Sequence, residues 1–396
     1  MRSALAFAVV GGLLALGCAA PIPASAQATR SLGGGGPEIP AVDPATLQGL
    51  PSARDYRPPD GIAFKVTDFI SDNVRLTAQW VYAAANAGRK LPTVIMAPGW
   101  GATAASLRDD ALDLARAGYL VMLFDYRGWG DSDGRVALTQ PKPAGAAFTA
   151  QVRELRGDID PFEQGEDWFN AVSYAATAPM VDADRIGVLG SDLAGGHVIE
   201  VAAHDERVKV LVSEVTRADA RPYKPYEDPV RVIAEANAAA ARLAAGQPPD
   251  PAAQARAAGG RAGAPVGAKL VRWAPVEDAS LVDAPALFVL AQKEELFSNT
   301  NNGQLACERV MGPRKLVMLP SIGHFGIYGP ERQRTIAAAI DWFDKYLKPG
   351  DPPPGASLKL AERGPCNPPP RPPKGDEDPK GSGQGHRTQD ASGRWN

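Results

Sequence analysis

The chain reads as an α/β protein with a mostly parallel sheet and helices on both faces. Short β-branched, apolar runs recur along it with helical stretches between them. The connections are long enough for the crossovers that parallel strands require, and one run ends in a small-residue turn that opens directly into a helix. With 396 residues and 44% hydrophobic content, one large core is expected.

Taken in order, Ile62, Phe64 and Val66, then Val74, Leu76, Ala78 and Trp80, alternate around Ser71-Asp72-Asn73 and predict an antiparallel hairpin. Further strands are predicted at 93–97, 120–125, 186–189, 208–215, 286–291 and 315–319. The last helix carries Ile336, Ile340, Phe343 and Leu347 on one face. One insertion breaks the rhythm, with about 65 residues between Thr216 and Val282 where a bare α/β unit needs a helix and turns. Its segment 230–245 is alanine-rich and helical, and Gln247-Pro-Pro-Asp-Pro251 interrupts it. It reads either as a surface excursion or as a lid, at about 216–281.

The ends have a different character. Arg2, the apolar stretch 4–16 and Ala24-Ser25-Ala26 give residues 1–26 the form of a signal peptide. The expected location is therefore periplasmic or secreted, with a membrane anchor or a lipid anchor at Cys18 as lesser readings. Residues 27–60 are rich in Gly, Pro and Ala without periodicity and read as a flexible leader. Residues 61–349 form the expected domain, and 350–396 a Pro/Gly-rich, disordered tail. In the exported chain Cys307 and Cys366 remain, as a disulfide or as two free thiols. A net charge of −3 with no basic cluster argues against nucleic acid. No histidine–carboxylate group has metal-ligand spacing, and nothing names a cofactor, so neither is expected.

The most informative segment is Arg185-Ile-Gly-Val-Leu-Gly-Ser-Asp-Leu-Ala-Gly-Gly-His197. A strand enters Gly190 and small residues follow, so the chain turns sharply and presents the residue two after the glycine at the apex. That residue is Asp192. Read with Pro98-Gly99-Trp100-Gly101, Asp125-Tyr126-Arg127-Gly128-Trp129-Gly130-Asp131-Ser132 and Gly323-His324-Phe325-Gly326-Ile327-Tyr328, the segment resembles the α/β-hydrolases. The likeness is to their dienelactone-hydrolase-like and X-prolyl-peptidase-like branch, with Asp where that branch has its nucleophilic Ser. It covers roughly residues 60 to 349, with the motifs in the family's chain order.

The resemblance implies an α/β-hydrolase fold with a helical lid and a triad of Asp192, Glu294 and His324. His324 would be the base and Glu294 the acid that orients it, with Glu295 and Glu214 as reserves. The oxyanion donors would be the backbone N–H groups of Leu193 and of the Trp100 turn. The Arg127–Ser132 loop would be structural support, and His197 a packing residue.

A carboxylate attacks amides and ordinary esters poorly, because the anhydride returns to reactants. It suits an sp³ carbon with a strained or good leaving group, as in the epoxide hydrolases and haloalkane dehalogenases of this fold. Tyr223 and Tyr226, at the start of the insertion, are candidates to donate a proton to an epoxide oxygen. The substrate is expected to be a small molecule. A serine-type esterase or peptidase acting through Ser191, and a non-catalytic binding protein, stay open from the sequence.

Overall fold

The first alternating segment folds as a hairpin. The computed structural model describes residues 50–224, 227–247, 263–348 and 364–366. In it β1 (Ile62–Ser71) and β2 (Val74–Ala83) pair antiparallel around Asp72 and Asn73. Both turn residues take positive φ, 45° and 67°, which a tight hairpin demands and which Asp and Asn tolerate. Next come β3 (Leu91–Ala97), β4 (Leu120–Phe124), β5 (Arg135–Leu138), β6 (Val152–Leu155), β7 (Asp158–Ile159) and β8 (Val181–Ser191). They are followed by β9 (Val208–Glu214), β10 (Ala264–Pro265), β11 (Ala286–Ala291) and β12 (Arg314–Leu319).

Eight of these form one sheet in the order β1-β2-β4-β3-β8-β9-β11-β12. β2 meets β4 antiparallel, and every pairing from β4 to β12 is parallel. Alternate strand residues face two separate cores. Ile95, Met122, Val188, Leu211 and Phe288 pack with α2 (Pro161–Thr177) and α3 (Leu193–His204). Val94, Met96, Leu123, Leu189 and Val212 pack on the other side, with Leu114 of α1 (Arg108–Arg116) and Ile336 and Phe343 of α7 (Arg332–Leu347). Helices on both faces explain why the strands read as near-continuous apolar runs.

Buried charge fastens the loops. The Arg127 guanidinium donates to Asp167 at 2.6 and 3.0 Å, and the same carboxylate accepts from the Ser71 hydroxyl and the Arg127 N–H. Removing one partner of such a buried pair typically costs about 3–5 kcal/mol. The Asp125 carboxylate accepts from the backbone N–H groups of Ala104 and Asp131, tying the loop after β3 to the loop after β4. Burial pushes the pKa of Asp125 up to about 6.

Three expectations change. Within the leader, residues 50–60 are packed rather than loose: Ala53 is buried, Arg108 donates to the Pro51 carbonyl at 2.7 Å, and the Tyr56 ring lies under the Arg108 guanidinium. Aromatic and apolar contacts outweigh the local Gly/Pro signal there. The later part of the insertion belongs to the main core. The insertion's helix α4 (Pro229–Ala244) has no buried residue and contacts the short α5 (Gly267–Leu270), but Trp273 and Val276 join the main core. The β5–β6 ribbon was not anticipated, because only four residues of each strand pair. Residues 1–26 with Cys18, expected to be a signal peptide, Tyr226, and the tail apart from 364–366 lie outside the described residues.

Cys307, on α6 (Gly303–Arg309), is disulfide-bonded to Cys366 with the Cα atoms 5.7 Å apart. Closing a loop of 59 residues is worth about 4 kcal/mol in the chain-entropy account. Unreduced protein should therefore show no titratable thiol at these positions, and Cys366→Ala should melt at a lower temperature. Two free thiols on the native protein would remove the bridge from the fold.

Candidate active site

At the end of β8 the chain cannot continue straight. A Cβ on Gly190 would sit 2.3 Å from the Ala194 carbonyl oxygen, so only glycine lets α3 fold back this closely. The turn leaves Asp192 at φ 55°, ψ −119°, at the N-cap of α3. An N-cap aspartate ordinarily folds back onto its own helix, but here the side chain makes no capping bond. The carboxylate Oδ2 instead accepts the backbone N–H of Trp100 at 3.2 Å. Gly99 permits this approach, since a Cβ there would lie 2.9 Å from the Ser191 carbonyl and 3.0 Å from Asp192 Cβ. Leu193 is the first residue of α3, where an N–H has no intrahelical acceptor and the helix dipole favours negative charge.

His324 is buried, in the turn after β12 that is opened by Ser321, whose φ is 67°. Its Nδ1 meets Glu294 Oε2 at 2.9 Å and Oε1 at 3.1 Å. A carboxylate only accepts, so Nδ1 carries the proton and Nε2 is the basic nitrogen. Glu294 is fixed in turn by the Leu296 N–H at 3.0 Å. Glu295, the neighbouring reserve, accepts the backbone N–H of His324 at 2.8 Å and so holds the loop rather than the ring.

The two halves meet through shared neighbours. Phe297 packs edge-on against His324 at 5.5 Å between ring centres. The Arg217 guanidinium lies 5.9 Å from Phe297 and 5.3 Å from Trp100, and the Arg217 N–H donates to the Asp192 carbonyl at 3.0 Å. Tyr328, half-buried four residues beyond His324, donates to Ser191 Oγ at 2.9 Å. Burial first, and the negative charge of Asp192 second, push the Tyr328 hydroxyl well above its ordinary pKa.

Ser191 and Glu214 are register partners on β8 and β9 and share the α1/α7 face of the sheet. The Ser191 hydroxyl is thus engaged with Tyr328, one residue before the apex. Glu214 does not act as a reserve acid, since the carboxylate on His324 is Glu294. His197 packs, as expected: its ring is 4.9 Å from Trp273 and its Nδ1 is 3.4 Å from Glu200.

A cavity of about 670 Å³ opens beside this constellation. Arg217, Asp219 and Tyr223, from the start of the insertion, line it together with Glu294 and Phe297. Of the residues expected at the site, Tyr223 is on this wall. Arg217 and Phe297 were missed, although a charged residue directly after an apolar strand at the carboxyl edge of a parallel sheet is a usable signal. Among the described residues no group of three or more His, Cys, Asp or Glu could hold a metal ion, and no helix is long and apolar enough to cross a membrane.

The sequence pattern of the X-Pro dipeptidyl-peptidase (S15) family matches residues 72–265. An uncharacterized 31.7 kDa protein of Escherichia coli is 32% identical over 39% of this chain and 46% of its own length. The quorum-quenching protein AidA of Acinetobacter baumannii is 33% identical over 32% of this chain and 36% of its own. The thiohydrolase aneE of Aspergillus aculeatus is 28% identical over 46% and 51%. The chain thus spans about half or less of the length of these relatives.

Among solved structures, hypothetical protein PA2218 from Pseudomonas aeruginosa superposes with a TM-score of 0.59 at 17% identity, covering 75% of this chain and 97% of that one. The α/β hydrolase GrgF from Penicillium sp. sh18 gives 0.56 at 20%, covering 72% and 99%. The fold is that of the α/β-hydrolases.

Behind the site, burial first, and the nearby Asp110 carboxylate second, push the pKa of Glu214 up from 4.5 to about 8. The folded chain therefore holds more protons than the unfolded one between these values. Its stability contribution is complete below about pH 4.5, declines as pH rises, and is lost above about pH 8. Glu214→Gln should flatten this decline, so that its melting temperature gains on the wild type as pH is raised from 5 to 9. A constant difference between the two across that range would mean that Glu214 ionises normally.

Proposed function

We propose that this chain is a hydrolase in which Asp192 attacks an sp³ carbon, with an epoxide as the favoured electrophile, and forms an alkyl-enzyme ester. The observation that carries this reading is the hydrogen bond from the Trp100 N–H to Asp192 Oδ2. In a serine-type site that donor serves the substrate's carbonyl oxygen. Here it serves the enzyme's own carboxylate, and hydrolysis of an aspartyl ester builds negative charge on that same oxygen.

The steps balance. One carboxylate oxygen forms a C–O bond as the C–O bond of the epoxide breaks, and the released oxygen takes a proton from a donor on the cavity wall, for which Tyr223 is the candidate. Water then attacks the aspartyl carbonyl while His324 Nε2 accepts its proton, with Glu294 stabilising the charged ring. The tetrahedral carbon collapses, restoring Asp192 and releasing the diol, and the proton on His324 returns to the donor. Epoxide and water are consumed, and a diol is formed.

Relatives named as a thiohydrolase and an acyltransferase keep acyl chemistry in view as the competing activity. For this chain it would need Ser191, whose hydroxyl is held by Tyr328.

Asp192→Asn should abolish turnover of an epoxide panel while Ser191→Ala keeps most of it. In His324→Gln the alkyl-enzyme should accumulate and appear by intact mass as the protein plus one substrate, because attack is spared and hydrolysis loses its base. After several turnovers in oxygen-18 water, the label should enter the Asp192 carboxylate. Label in product alone, with activity lost in Ser191→Ala, would hand the chemistry to a serine route; tight ligand retention without turnover would make the chain a binding protein.

A further inference from the structure

The residue that opens α6 repeats what Asp192 does at the head of α3. Asn302 is the N-cap of α6, yet its side chain makes no capping bond to that helix. An asparagine in this place ordinarily accepts an N–H of its own first turn. Here the amide crosses to another element: Oδ1 accepts the backbone N–H groups of Ala218 at 2.8 Å and Asp219 at 2.7 Å. Nδ2 donates to the Ser298 carbonyl at 2.9 Å. The two N–H donors fix which end of the amide is oxygen, and the residue is fully buried.

The segments joined in this way carry the two halves of the site. Ala218 and Asp219 directly follow Arg217, whose backbone N–H donates to the Asp192 carbonyl. Ser298 directly follows Phe297, which packs on His324, in the loop that brings Glu294 to the His324 ring and Glu295 to its backbone. Asn302 belongs to the second segment by sequence and reaches the first by hydrogen bonding. Packing closes the same seam: a Cβ on Gly303 would lie 2.5 Å from Leu290 of β11 and 3.1 Å from Thr216. Glycine there lets the head of α6 come against the loop after β9.

Asparagine has the groups that such a bridge needs. It offers one oxygen to two N–H groups and a donor to a carbonyl, at short reach and without charge. Aspartate would keep the acceptor and lose the donor. Alanine would lose both and leave the Ala218 and Asp219 N–H groups without their acceptor.

We propose that Asn302 is a positioning residue that fixes the spacing between Asp192 and His324, so that it governs the second step of the reaction more than the first. The inference rests on the reading of Asp192 as the attacking group and His324 as the base of hydrolysis. Attack uses Asp192, whose N–H and carbonyl keep their bonds to Glu214 and Gly195 whatever stands at position 302. Hydrolysis needs a water held between His324 Nε2 and the aspartyl carbonyl, one from each half.

Single turnovers of styrene oxide separate the two steps. In Asn302→Ala the alkyl-enzyme should form at close to the wild-type rate and break down about tenfold more slowly, so that it accumulates by intact mass. The pH dependence of that breakdown should persist, because the base is displaced and not removed, whereas in His324→Gln it should vanish. Asn302→Asp, which keeps the acceptor for both N–H groups, should restore most of the breakdown rate. Equal slowing of both steps, as a general loss of structure gives, would overturn the proposal, and so would breakdown at the wild-type rate.

Amide hydrogen exchange tests the bridge without turnover. The Ala218 and Asp219 amides should exchange slowly in the wild type and about tenfold faster in Asn302→Ala, with the Asp192 amide unchanged on the Glu214 carbonyl. Fast exchange at both positions in the wild type would overturn the bridge even where the alanine variant fails to fold. A wild type that gives neither adduct nor diol would fault the epoxide chemistry, and the exchange pattern alone would then decide the bridge.

Discussion

The site depends on a backbone conformation that Asp192 would not choose alone. At φ 55° and ψ −119° it is a non-glycine residue on the left-handed side, at a cost of the order of 1–3 kcal/mol. Three backbone hydrogen bonds hold it: its N–H donates to the Glu214 carbonyl, and its own carbonyl accepts from Gly195 and Arg217. Each partner comes from a different element, β9, α3 and the loop beyond β9. The apex is thus set by the parallel core around it and not by local preference. Ser321 and Val215 repeat the pattern, so three loops at the carboxyl edge of the sheet each carry one residue with positive φ.

That constraint explains where the carboxylate goes. A normal N-cap geometry would turn the Asp192 side chain onto α3 and consume it as a structural cap. The left-handed turn swings it away from its own helix, and Gly99, with no Cβ to obstruct, lets the Trp100 N–H reach it. On the other side of the site, His324 is fixed at ring and backbone by two consecutive carboxylates, Glu294 and Glu295. Two acids after one strand, one for the ring and one for the loop, give the histidine a single tautomer and a single pose.

Much of this was legible in the sequence. The strands were readable because helices cover both faces and enforce continuous apolar runs, and the elbow because a Cβ at Gly190, Gly195 or Gly196 would collide with its neighbours. Glu294 was separable from Glu295 by family position alone, and the geometry gives the two different tasks. What escaped was set by tertiary contact. Residues 50–60 carry a flexible composition yet are pinned by Arg108, which reaches them from α1. The later part of the insertion carries Trp273, a core residue with no periodic context to betray it. Arg217 escaped because the two rings beside it, Trp100 and Phe297, are distant in sequence.

Under the proposed chemistry, an aspartate nucleophile in place of serine at the elbow asks little else of the fold. The N–H groups that would stabilise a substrate oxyanion can stabilise the enzyme's own, because the tetrahedral centre simply moves from the substrate's carbonyl to the aspartyl carbonyl. In the proposed reaction the histidine keeps its place but changes its moment of action: a carboxylate nucleophile has no hydroxyl proton for it to remove, and it acts on water in the second step alone. The selectivity of the first step must then come from what holds the substrate against Asp192. An sp³ electrophile offers the oxyanion donors no carbonyl to grip. In the proposed reaction positioning falls instead to the cavity wall, which Arg217 lines with its backbone N–H on the Asp192 carbonyl.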